Sequence, residues 1–66
     1  MDKYAQRVYE ACRNHVTEIL GSPERGEAWM QTKREDFDGR SAEELIQEGR
    51  GGMVEDYISR IEFGVR

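Results

Sequence analysis

Ala5, Val8, Cys12, Val16 and Ile19 recur at spacings of three, four, four and three residues, the period of one helix face. Leu20 and Ala11 widen that stripe, while Arg7, Glu10, Arg13, Asn14 and Glu18 fall outside it. The pattern predicts one long helix over residues 2–20, opened by the carboxylate of Asp2 and stopped by Gly21. Ser22-Pro23 predicts a restart, because serine caps the free amides and proline at the first helical position has no amide hydrogen to lose. This second helix carries Ala28, Trp29 and Met30 and ends near Thr32. Residues 33–38 are charged apart from Phe37, which reads as a loop anchor dropped into the core, and Asp38-Gly39 reads as a turn. Ser41 and Glu44 have the spacing of a capping box, opening a short third helix with Leu45 and Ile46. Gly49-Arg50-Gly51-Gly52 breaks it. The last helix is expected from about Met53, with Val54, Tyr57, Ile58 and Ile61 on one face and Gly64 as its stop. No apolar/polar alternation persists long enough for a strand. The expected fold class is all-α, a small bundle of one long N-terminal helix and three shorter helices, with residues 1–66 as one domain.

At 66 residues a chain buries only about 60% of its unfolded surface, so the core is thin and a partner can supply part of the buried area. A two-domain enzyme, a nucleotide-binding α/β sheet and a (β/α)8 barrel are excluded on size. The net charge of −4 disfavours independent binding to nucleic acid or to an anionic membrane. The acidity is uneven: residues 1–20 are neutral, residues 21–40 carry −1 and residues 41–66 carry −3. The single cysteine, Cys12, cannot form an internal disulfide, and no segment has the roughly 20 apolar residues of a membrane span. A cytoplasmic domain with a protein partner is the expectation.

The candidate chemical constellations reduce to scaffold. Cys12 and His15 share a side of the first helix but are two ligands short of a zinc site. Cysteine on an apolar stripe is more often a small buried hydrophobe. A Cys-His nucleophile would need a pocket and an oxyanion site that so small a bundle hardly builds. Asp36, Asp38 and Gly39 resemble a fragment of a calcium loop. In that register, however, Arg34 and Leu45 would occupy the first and twelfth ligand positions, and neither can bind calcium. The glycine run at 49–52 lacks the strand and the Lys-Ser/Thr of a P-loop. Trp29 reads as the centre of the core, and Glu43, Glu44 and Glu48 as a solvated helix face. No catalytic, metal or cofactor-binding set is expected.

The segment Arg60-Ile61-Glu62-Phe63-Gly64-Val65-Arg66 places an aromatic and a valine at a chain end, where fraying usually wastes them. Two readings stand side by side. Phe63 either folds back onto the first helix as core, or belongs to an end that plugs another protein's cavity.

The stretch from about residue 19 to 65 resembles the toxin-binding domain of the Xre/MbcA/ParS antitoxin family. The resemblance runs in order through Leu20-Gly21, Ala28-Trp29-Met30, Phe37-Asp38-Gly39-Arg40-Ser41, Leu45-Ile46, Val54, Ile58 and Arg60-Ile61-Glu62-Phe63-Gly64-Val65. It implies a small helical antitoxin domain that is not an enzyme. Its implied partner is a RES-type, NAD-consuming toxin, whose active site the C-terminal segment masks. The implied contact residues are Arg60, Glu62, Phe63, Gly64, Val65 and Arg66, with Trp29, Leu45, Ile46, Val54, Ile58 and Ile61 as scaffold. Ala42 stands where many members have proline, and the glycine run is richer than usual. The Xre-type members carry a helix-turn-helix domain. Twenty residues of neutral helix do not replace one, so DNA binding is not expected of this polypeptide alone. The alternative is a homo-oligomeric or regulatory helical module without a toxin, using Tyr4, Ala11 and His15 as a self-interface. A fragment of a longer regulator is a third reading.

Overall fold

The Ala5 amide donates to the Asp2 carboxylate at 2.7 Å, which starts α1 (Lys3–Leu20), and Gly21 stops it in a left-handed conformation at φ 80°. Ser22 caps α2 (Pro23–Gln31), a single 3-10 turn spans Glu35–Phe37, and α3 (Ala42–Gln47) and α4 (Gly51–Phe63) follow. These elements come from a computed structural model that describes residues 1–64. The fold is all-α. Outside the helices, the described residues contain one isolated antiparallel bridge, between Arg34 and Arg40, which pinches the loop around the 3-10 turn.

The capping box forms as the spacing predicts. The Glu44 amide donates to Ser41 Oγ at 3.1 Å, and the Ser41 amide donates to the Glu44 carboxylate at 2.8 Å. Lys33 Nζ bonds the same carboxylate at 2.9 Å and, with the Ser41 amide, holds it below the usual carboxylate range. At the other end of α3 the Gly49 amide reaches Ile46 O at 3.1 Å and the Arg50 amide reaches Leu45 O at 2.8 Å. That pair of bonds is a Schellman closure, and it needs the positive φ of 82° that Gly49 supplies. The next two glycines belong to α4, which begins two residues before the expected Met53.

The largest fully buried side chains are Phe37, Met30, Leu45, Ile58 and Val54. Phe37 is therefore the loop anchor its position suggested. Trp29 is not the centre of the core. It is half-buried at the rim, edge-on to Phe37 with centroids 6.3 Å apart, and Arg34 lies over its ring at 4.2 Å. The buried stripe of α1 is Ala5, Tyr9, Cys12 and Val16, with Val8 and Ile19 only half-buried and Ala11 and Leu20 exposed. Tyr9 enters the core because its hydroxyl finds a partner, the Glu27 carboxylate of α2, which also meets Gln31 at 3.2 Å and Arg13 at 3.8 Å.

Two glycines let helices touch. A Cβ on Gly26 would collide with Thr17 Oγ1 and lie 3.1 Å from the Thr17 Cα, and one on Gly51 would lie 2.8 Å from Val8 Cγ1. Gly52, by contrast, faces open space. In a helix, glycine to alanine normally gains about 1 kcal/mol from propensity. Gly52→Ala should therefore raise the melting temperature. Gly26→Ala should lower it, by roughly 1–3 kcal/mol of stability, because the methyl group meets backbone. Thermal unfolding of the two variants checks both signs.

Candidate partner-binding surface

The last turn of α4 brings most of the residues proposed for partner contact to one place. Val54 and Ile58 are the only buried residues of α4, so the core ends one turn before the helix does. Ile61, expected as scaffold, is 42% exposed; beyond Ile58 the helix has run past the residues that could cover it. Phe63 is 75% exposed, so it does not fold back onto α1. Gly64 closes the helix at φ 67°, its amide donating to the carbonyls of Arg60 and Ile61. Val65 and Arg66 lie outside the described residues.

The charged members of the set are engaged differently. Arg60 pairs with Asp56 at 3.0 Å along the same helix, an exposed pair. Such pairs contribute at most about 0.5 kcal/mol and yield easily to a new partner. Glu62 is turned toward α1, where its carboxylate lies 2.7 Å from His15 Nε2. In the sequence His15 pairs with Cys12 on one side of α1, and nothing local connects it with Glu62. The two residues are 47 positions apart, and no local pattern joins them.

Two shallow grooves flank α4. One, on the α1 side, is lined by Ala11, Cys12, His15, Glu55, Ile58 and Ser59. The other, toward the 3-10 turn, is lined by Asp36, Phe37, Met53, Asp56, Tyr57 and Arg60, and there the Tyr57 hydroxyl donates to Asp36 at 2.8 Å. That hydrogen bond, then burial, raises the Tyr57 phenol above its ordinary value.

Among the described residues no group of three or more His, Cys, Asp or Glu side chains is placed to hold a metal ion. No helix among them is long and apolar enough to cross a membrane. Cys12 is 3% exposed in the core. Burial, and then the charge of Glu55, pushes its thiol up to about 11.

The final turn of the bundle thus stands clear of its own core and carries an aromatic side chain into solvent. Residues 15–64 match the antitoxin Xre/MbcA/ParS C-terminal toxin-binding domain, and the chain belongs to that family. It is thus an antitoxin-type domain whose partner is a protein toxin, in a family that is generally non-enzymatic. No curated protein and no solved structure matches the chain. The first three turns of α1 precede the matched stretch, yet they supply Ala5, Tyr9 and Cys12 to the core.

The raised pKa values set an alkaline limit on stability. Tyr9 rises from an ordinary 10.0 to about 12, through burial first and then the Glu27 hydrogen bond. A raised folded-state value stabilises fully below the unfolded value, and the contribution is lost as pH climbs through the folded one. Stability should therefore fall between about pH 9, where an unfolded Cys12 begins to ionise, and about pH 12. At pH 8 the folded protein should react with a thiol reagent far more slowly than the unfolded chain. Rapid labelling of the folded form would place Cys12 outside the core.

Proposed function

We propose that the chain inhibits a RES-type, NAD-consuming toxin by laying the C-terminal end of α4 over the toxin's active site. The observation that carries this reading is Phe63, a large aromatic 75% exposed on the last turn of a domain with few large side chains to spare. Covering such a side chain contributes about 1.5–3 kcal/mol, which makes it a natural anchor in a partner's cavity. Ile61 and Met53, 42% and 41% exposed, are further apolar side chains that α4 leaves uncovered, Met53 about three turns before Phe63. Arg60 supplies a cation whose present pairing is weak, and Gly64, Val65 and Arg66 continue the plug. Inhibition is then occlusion: the domain contributes shape and burial, and no group of its own takes part in chemistry. The family match supports the antitoxin role; the toxin's type and the masking geometry are the proposal.

The rival reading, self-association without a toxin, draws on Tyr4, 78% exposed near the start of α1. His15, the other polar member of that surface, is already engaged by Glu62.

Co-expression with a RES-type toxin encoded beside this chain should rescue growth and yield a complex that copurifies. Phe63→Ala should weaken inhibition of NAD consumption at least tenfold while moving stability by less than about 0.5 kcal/mol, as exposed substitutions do. No complex and no rescue would sink the proposal. A tight dimer by sedimentation, indifferent to the toxin, would favour the rival.

A further inference from the structure

We infer that the contact between His15 and Glu62 positions the last turn of α4, making Glu62 a positioning residue rather than one that touches the partner. The inference rests on the reading that this end of the helix meets the toxin.

The geometry is specific. His15 Nε2 and Glu62 Oε1 lie 2.7 Å apart, joining the middle of α1 to the final turn of α4 across 47 residues. Both side chains are partly covered, 35% and 39% exposed, so solvent screens the contact less than it screens Arg60–Asp56, where both partners are 63% exposed. Among the described residues it is the only hydrogen bond or ion pair from residues 60–64 to another element. Arg60 pairs within α4, and Gly64 bonds only to the helix it ends. Apolar packing offers little there, because α4 has no buried residue beyond Ile58. An unheld last turn frays, and ordering it at the moment of docking subtracts from affinity. The tether orders it beforehand and leaves Phe63 projecting. A Glu62 that contacted the toxin would have to release His15 first.

The test has two readouts. In the free protein, Cα chemical shifts of residues 60–63 report helical population. His15→Ala and Glu62→Ala should each increase the frayed fraction by about threefold, the size expected of one partly exposed charged contact. The double variant should add nothing to either single one. His15→Gln, which keeps an N–H donor, should recover most of the loss. In the second readout, inhibition of a RES-type toxin's NAD consumption, His15→Ala should weaken binding in proportion to the helical population lost, by threefold at most, and Phe63→Ala by a larger factor. Unchanged shifts in both alanine variants would overturn the inference. So would altered shifts with undiminished inhibition by His15→Ala, if Phe63→Ala still weakens it. If Phe63→Ala also leaves inhibition intact, the docking reading has failed instead, and the shifts alone decide whether the tether exists.

Discussion

The structure depends on how closely α2 approaches α1. Gly26 lets the backbone of α2 lie against Thr17, where an added Cβ would collide with Thr17 Oγ1 and sit only 3.1 Å from the Thr17 Cα. At that separation Glu27 reaches the Tyr9 hydroxyl and Arg13, so the seam is sealed by a polar cluster beside the apolar contact. Met30, one turn further along α2, is driven fully into the core, and Trp29 is left at its edge. The loop that follows then has one place for Phe37, beneath Trp29 and Tyr57 with centroids 6.3 and 5.1 Å away. Phe37 in turn lies among the fully buried residues of α3 and α4, Leu45, Val54 and Ile58. Moving α2 outward by the width of a methyl group would disturb each of these placements.

A core closed that early along α4 has a consequence for function. Buried residues of α4 stop at Ile58, yet the helix continues to Phe63. The final turn carries an aromatic in solvent, a half-exposed isoleucine and an arginine held only by its own helix. The fold thus separates two tasks. The α1–α2 seam and the Phe37 cluster hold the domain together, and the end of α4 is the surface proposed to meet a toxin.

Much of the architecture was legible in the sequence because its determinants are local. Ser22-Pro23, the Ser41–Glu44 box, Gly21 and Gly64 act within four residues of themselves, and each appears where its chemistry predicts. What escaped is what depends on a second element. The stripes 5-8-12-16-19 and 5-9-12-16 fit helical periodicity equally well, and only Glu27 on another helix decides for Tyr9. Gly26 looks like an ordinary weak point of a helix until Thr17 is placed beside it. The size of Trp29 points to the core centre, but its large ring also serves as a platform for Arg34 at the surface. Ile61 keeps the spacing of a core residue past the point where there is a core. The exposed state of Phe63 and the pairing of Glu62 with His15 are facts of three-dimensional placement that no local pattern encodes.

Whether the end of α4, as proposed, or the α1–α2 seam meets the partner is decided by amide hydrogen exchange with and without bound toxin. Protection gained on binding should concentrate in residues 60–64, with the outer face of α2 around Glu24 and Ala28 unchanged. Protection concentrated on α1 and α2, with the last turn of α4 exchanging as fast as in the free protein, would contradict the proposal.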